Sequence, residues 1–236
     1  MKIAIINGSL RKNGATAYIL HRIEKMLLEQ GAEVVFYNLV EQNIALCKGC
    51  CVCYKSGGCV IDDDAERISR ELESADGIVL GSSTIASNDS AVMKMFIDRG
   101  HFVIEQLLYK KYALCVTTYE NYGGKTALKV LTDLVKLSGA AICGSISAKI
   151  PFNAKCADIP MLNVKADKCA EKLYSSIERR KLYPLQRIFQ TIAANVGIKP
   201  LIKRKGSAYE AVSRRWKELG ALKWMLKFPK HTRTVS

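Results

Sequence analysis

Five cysteines fall within thirteen positions in "CKGCCVCYKSGGC", residues 47–59. Cys47, Cys50, Cys53 and Cys59 form the spacing C-x2-C-x2-C-x5-C, with Cys51 as a spare sulfur. Four thiolates on one short turning loop suit a four-iron four-sulfur cluster. Lys48 adds positive charge beside an anionic cluster, and Gly49, Gly57 and Gly58 let the backbone turn. The same residues also permit a Cys-x-x-Cys dithiol or a clusterless thiol loop. Zinc suits the stretch less, because structural zinc draws on two separated pairs. Cys115 and Cys143 lie in apolar runs as small hydrophobes, and Cys156 and Cys169 belong to no motif. His21, His101 and His231 do not pair at metal-ligand spacing, and a Ser/His/Asp hydrolase has no nucleophile elbow here.

A second chemical stretch, "NGSLRKNGAT" (7–16), joins an apolar run to a helix-like one. Ser9, Arg11 and Thr16 surround a turn that Gly8 and Gly14 make passable. Backbone N–H groups at a helix start, hydroxyls and one guanidinium together suit a terminal phosphate dianion. The alternative is a polar turn in which Ser9 or Thr16 caps the helix. The stretch is neither the G-x-G-x-x-G fingerprint nor a loop ending in Gly-Lys-Ser/Thr.

Such loops need rigid supports. Apolar runs at 2–8, 33–39, 77–82, 112–118 and 140–147 read as strands, the first of them buried on both faces. Between them 16–31, 62–75, 90–106 and 125–139 read as helices, and 165–181 as a helix that closes the domain. Ile19, Ile23, Met26 and Leu27 share one face of the first, which stops at Gly31. The acidic run 62–64 suits the start of the second. This alternation implies right-handed parallel crossovers and a doubly wound α/β sheet. Ligands of such sheets sit beyond the carboxyl ends of the strands, so loops 8–16, 82–90 and 118–125 converge on one place.

As a set these stretches resemble the flavodoxin-like, NADPH-dependent FMN reductases and their iron–sulfur flavoprotein branch. "GSLRKNGAT" (8–16) is similar to the family's phosphate loop, G-S-x-R-x-x-G-x-T. "GIVLGSS…SAVMKMFIDR" (77–99) is similar to its third strand, ring loop and following helix. "TTYENYGGKTAL" (117–128) is similar to the glycine-bearing loop after its fourth strand, and the cysteine loop running into 62–64 resembles the iron–sulfur branch. The resemblance implies a five-stranded parallel sheet in the order 2-1-3-4-5. It implies FMN held at its phosphate by Ser9, Arg11 and Thr16. For the ring it suggests Ser83, Thr84, Ile85, Ala86 and Ser87, with Tyr119, Glu120, Tyr122, Gly123 and Gly124 opposite. It implies Cys47, Cys50, Cys53 and Cys59 as ligands of a 4Fe-4S cluster that passes electrons to FMN. NAD(P)H as electron donor and a homodimer or homotetramer follow from the same likeness. Ala15 stands where the family often has Asn. Ser83 and Ile85 replace its Pro-x-Tyr, leaving Tyr119 or Tyr122 to stack on the ring. No side chain is nominated as catalytic, because the redox chemistry belongs to the flavin.

Charge divides the chain. Residues 1–150 carry 17 Lys and Arg against 16 Asp and Glu, whereas 151–236 carry 19 against 6, within a net charge of +14. Charge marks a neutral domain followed by a basic segment; with the resemblance this implies a flavodoxin-like FMN-binding domain over 1–182 and a basic amphipathic helical extension over 183–236. In the extension, 184–204 is apolar with basic punctuation, 209–227 reads as an amphipathic helix with Trp216 and Trp224, and the last nine residues read as disordered. Its basic helices suit packing over the core or a second subunit, or docking on a membrane surface or an acidic redox partner; nucleic acid ranks last. "RRWKELGALKW" (214–224) resembles the C-terminal stretch of longer family members, which supports packing. The apolar run in "MKIAIINGSL" is too short for a signal-peptide core, and no stretch approaches the roughly 18 apolar residues of a spanning helix. A cytoplasmic protein with reduced thiols is expected. The expected function is an FMN-dependent oxidoreductase passing electrons from NAD(P)H to an unnamed acceptor. The alternatives are a non-enzymatic FMN/iron–sulfur electron carrier, or a basic nucleic-acid or membrane-surface binding protein with a vestigial flavin site.

Overall fold

Ile3 and Ile5 point to one face of a sheet and Ala4 and Ile6 to the other, and all four are fully buried. That double burial explains why the first apolar run shows no polar alternation. The computed structural model describes residues 1–152 and 154–220. In it β1 (Lys2–Asn7), β2 (Glu33–Asn38), β3 (Gly77–Ile85), β5 (Tyr112–Tyr119) and β6 (Ala141–Lys149) form a parallel sheet in the order β2-β1-β3-β5-β6. This is the expected order, with one addition. A two-residue strand, β4 (Asn88–Asp89), folds back antiparallel on Thr84 and Ile85 of β3.

The helices α1 (Ala15–Glu29) and α6 (Pro160–Glu178) cover one face, burying Ile19, Leu20, Ile23 and Leu173 against Ile5, Val79 and Val116. On the other face α3 (Asp64–Ser74), α4 (Ala91–Arg99) and α5 (Gly124–Leu137) bury Ile68, Phe96 and Leu131 against Ile6, Leu80 and Cys115. A five-residue helix, α2 (Val52–Ser56), sits inside the cysteine stretch.

Two expected helices are shorter or broken. The one expected over 90–106 ends at Arg99. A Cβ on Gly100 would lie 2.2 Å from the Phe102 ring, and His101 takes a left-handed backbone with φ of 51°. The apolar stretch 184–204 divides into α7 (Pro184–Ala193), a π turn (Ala194–Ile198) and α8 (Lys199–Lys205). Pro200 has no N–H to give Val196, and its ring crowds that carbonyl, so the helix widens just before it. The expected helix 209–227 is described as α9 (Glu210–Glu218). Its part from 221 onward, with Trp224 and the expected disordered end, lies outside the described residues.

α9 packs over the turns that follow α4. Trp216 is fully buried and its Nε1 donates to the Ile104 carbonyl at 2.8 Å. Arg215 donates to the Glu105 carbonyl at 2.6 Å and to Glu73 at 2.6 Å. Ile198, Ile202, Tyr209 and Val212 complete a third apolar cluster, against which Tyr54 of α2 packs. The extension therefore covers one flank of the cysteine stretch.

Arg99 anchors the mouth of that stretch from beneath. It donates to both oxygens of Asp63, at 2.6 and 2.9 Å, and to the carbonyls of Ala45 and Ile61, at 3.0 and 3.3 Å. Both charged side chains are buried, at 1% and 2% exposure. Burial disfavours the Asp63 carboxylate, yet Arg99 and the N–H groups of Ala45 and Ala65 outweigh it and hold Asp63 below the usual carboxylate range. Arg99→Ala leaves a buried carboxylate unpaired, so the folded state should lose about 3–5 kcal/mol. Urea unfolding of the variant checks this; a loss under about 1 kcal/mol means the pair is not the anchor.

Candidate functional site

The sheet order reverses between β1 and β3, and the loops leaving their carboxyl ends part there. They open a cleft of about 590 Å³. One wall is the turn between β1 and α1. Asn7 Oδ1 accepts the Ser9 N–H at 3.0 Å, and Ser9 Oγ accepts the Arg11 N–H at 3.2 Å, so the turn is held by its own side chains. α1 begins at Gly14 with no side-chain cap and no acidic residue in its first turn. Its positive end is thus left open to an anion. Arg11 reaches across the cleft mouth, its guanidinium 5.3 Å from the centre of the Phe152 ring.

Ser83, Thr84 and Ile85 form the opposite wall, with Tyr119 and Glu120 beside them. Thr84 Oγ1 is shielded from water and finds no hydrogen-bond partner among the described residues. Ala86 and Ser87 crest the β3–β4 hairpin, both left-handed, with φ of 49° and 63°. That pair of conformations is what a two-residue hairpin turn requires, and glycine or asparagine usually supplies it. Gly123 is left-handed as well (φ 84°), and a Cβ on it would sit 2.5 Å from the Ser87 Cα. The two ring-loop candidates therefore touch each other rather than standing apart.

The expected residues thus separate. Ser9, Arg11, Ser83, Thr84, Ile85, Tyr119 and Glu120 line the cleft. Thr16 lies behind it, buried, its hydroxyl 2.7 Å from that of Thr118, tying α1 to β5. Ala86, Ser87, Gly123 and Gly124 build the rim, and Tyr122 is largely exposed. The Tyr119 ring lies against Gly124, where a Cβ would fall 2.0 Å from it. Sequence reading missed the segment after β6. Ile150, Pro151, Phe152 and Lys155 close the cleft, with the Phe152 N–H donating to Glu120 at 3.2 Å. The signal was available, since this segment also leaves a carboxyl end.

Beneath the hairpin, Asp89 is buried with neither carboxylate oxygen hydrogen-bonded among the described residues. Desolvation pushes it up to about 7, and neighbouring Ser82 offsets only part of this, because its hydroxyl donates to the Ser83 carbonyl. The next residue, Ser90, caps α4 by accepting the Met93 N–H at 3.2 Å and donates to the Gly8 carbonyl. The loops leaving β3 and β1 are joined through that one hydroxyl.

In the cysteine stretch, Cys47 and Cys50 are exposed, while Cys53 and Cys59 are half-buried. Gly49 and Cys51 both have left-handed backbones. Cys53 lies beside His101, which also meets Glu105 at 3.1 Å. Burial disfavours the His101 imidazolium, but Cys53 and Glu105 outweigh it and push the group up to about 10. Cys59 adjoins the Arg99 guanidinium. Among the described residues no three His, Cys, Asp or Glu side chains are gathered as a metal site.

A doubly wound parallel sheet with an anion-receptive cleft at its order reversal is a flavodoxin-like fold. Solved structures agree. A Streptococcus pneumoniae flavodoxin superposes with a TM-score of 0.51 at 15% identity, covering 75% of this chain and 99% of that one. A flavone reductase superposes at 0.58 and 15% identity, covering 75% and 63%. The family model for NADPH-dependent FMN reductase matches residues 1–154. An iron–sulfur flavoprotein of Clostridioides difficile is 36% identical over 228 residues, 94% of this chain and 100% of that protein. One from Archaeoglobus fulgidus is 28% identical over 227 residues, 93% and 99% of the two. The chain belongs to the NADPH-dependent FMN reductase and iron–sulfur flavoprotein family, and is an FMN-dependent oxidoreductase. Neither the carrier reading nor the vestigial-site reading is favoured. Among the described residues no helix is long and apolar enough to cross a membrane.

Asp89 gives the folded state a pH signature. Its folded value of about 7 lies above the ordinary carboxylate value of 3.8, so between them the folded chain binds more protons than the unfolded one. Stability from this group is complete below the lower value and falls by up to about 1.4 kcal/mol per pH unit as pH rises towards the upper. Asp89→Asn should remove that decline and be more stable than the parent at pH 8. Urea midpoints at pH 5 and 8 decide; a parent and variant with parallel profiles refute the assignment.

Proposed function

We propose that the chain takes electrons from NAD(P)H and passes them through FMN in the cleft to a separate acceptor. A four-iron four-sulfur cluster on Cys47, Cys50, Cys53 and Cys59 serves as a second redox centre. The observation that carries the flavin part is the uncapped, acid-free start of α1 facing the cleft between Ser9 and Arg11. The residues present fit FMN. Ser9, Arg11 and the first N–H groups of α1 hold the phosphate, and Thr84, with its hydroxyl unpartnered among the described residues, faces a polar edge of the ring. α5 starts at Gly123 with no side-chain cap and no acid in its first turn. Its N–H groups and positive end would stabilise negative charge on a flavin ring held beside them. FMN, when bound, supplies the capacity to accept an electron pair from a nicotinamide and release electrons singly or in pairs.

The cysteines fit a four-iron cluster in number, type and spacing. The described conformation leaves them ungathered, so binding requires the loop to close about Gly49 and Cys51 while Arg99 holds its ends. Relatives of similar length are iron–sulfur flavoproteins, which supports this reading. A reducing compartment, the cytoplasm, suits four free thiolates. Ile85, Tyr122 and Phe152 leave apolar surface around the cleft mouth, 48%, 72% and 69% exposed. A second copy in a homodimer or homotetramer would cover that rim.

Anaerobic purification with an absorption spectrum and iron and sulfide assays tests the whole reading. Yellow protein bleached by NADPH or NADH, with four irons and four sulfides per chain, is the expected result; colourless protein with no affinity for FMN refutes it. Removing one phosphate grip, Ser9→Ala or Arg11→Ala, should weaken FMN binding by roughly tenfold or more. Fluorescence titration of the apoprotein measures this, and unchanged affinity in both variants would move the phosphate elsewhere.

A further inference from the structure

The helix α7 is mounted the wrong way round for a soluble protein. Its polar side faces inward. Gln186 accepts the Ile142 N–H at 2.8 Å and donates to the Ile142 carbonyl at 3.0 Å, and Gln190 donates to the Ala140 carbonyl at 2.7 Å. These amides pair with β6, the edge strand of the sheet, much as a further strand would. Its apolar side faces outward. Leu185, Ile188, Phe189 and Ile192 recur at helical spacing, continued by Leu182 before the helix and Val196 after it. Leu185 is 82% exposed and Val196 76%, and no residue of α7 is buried. A continuous stripe of large apolar side chains turned to water marks a surface built to be covered.

Charge selects the cover. Residues 179–209 hold eight Lys and Arg, three at 179–181, one at 187 and four at 199–205, and no Asp or Glu. The cations thus flank both ends of the stripe. A second copy laid along it, parallel or antiparallel, would set cationic ends against cationic ends with no acid between them. An anionic bilayer instead meets the stripe with acyl chains and its rim with phosphate headgroups. We propose that the outward face of α7 docks this protein on an anionic phospholipid surface, with Arg179, Lys181, Lys203 and Lys205 at the headgroups. The docking is peripheral, and it is independent of the flavin and cluster assignments.

Flotation of the full chain with vesicles tests it. Binding is expected to vesicles of mixed phosphatidylglycerol and phosphatidylcholine and not to phosphatidylcholine alone, and it should fall as salt rises. Leu185→Asp with Ile192→Asp should reduce binding by at least about tenfold while leaving the melting curve unchanged, because both side chains are already exposed. Light scattering on the same samples reads the competing outcome. A stable oligomer that the double variant splits, without vesicle binding, overturns the proposal in favour of a subunit interface. A parent chain that ignores both vesicle types and stays monomeric overturns it too, the face then being covered from within the chain.

Discussion

Arg99 and Asp63 bury opposite charges against each other where the cysteine stretch returns to the body of the protein, and both ends of that stretch hang on the same guanidinium. A planar cation with several donors can hold a carboxylate and two carbonyls at once, which a lysine could not. The arrangement is stable only while complete, because either charge alone in that interior would be strongly unfavourable. From Arg99 the nine-residue helix α4 runs back to Ser90, whose hydroxyl reaches the phosphate loop at Gly8. One short helix, about 14 Å long, therefore fixes the cysteine loop at one end and the loops of the cleft at the other.

The cleft and the cysteine stretch solve different problems. The cleft is held by hydrogen bonds among its own turns and by close backbone approach, as at Gly123 against Ser87, so it stands ready for a ligand. The cysteine stretch is pinned at its ends, along the flank where Tyr54 packs against the extension, and at Gly57, whose carbonyl accepts from Arg70 at 3.0 Å. Between those points its cysteines stay ungathered. A loop clamped at its base and free at its crest can close on an inorganic centre without disturbing the sheet.

Much of this was legible in the residues. The doubly wound parallel sheet followed from the alternation of continuous apolar runs with helical ones, its strand order from the family resemblance, and the burial of Cys115 and Cys143 from the runs around them. The two ring loops and the phosphate turn were found as stretches, but not their individual roles. Thr16 reads as a phosphate ligand by position, yet it turns inward to Thr118, because a hydroxyl one residue into α1 lies over β5. Phe152 and Lys155 were missed because nothing in "IPFNAKC" has the composition of a ligand loop; the shared carboxyl edge brings them in. The end of α4 at Arg99 was missed for a related reason. Helical periodicity continues beyond it, while Gly100 packs tightly against the Phe102 ring and His101 takes a left-handed backbone.

Local chemistry, then, was settled along the chain itself: which runs bury both faces, where a backbone can turn, how many sulfurs share a loop, and where cations accumulate. These depend on side-chain type and on neighbours a few residues away. Folding in three dimensions settled which groups lose water and which face outward. Nothing in the sequence around Asp89 indicates a carboxylate stripped of partners, and nothing in the glutamines of α7 indicates that they, rather than its leucine and isoleucines, face the sheet. At these two places burial and orientation are set by contacts between residues tens of positions apart, and no local pattern there encodes them.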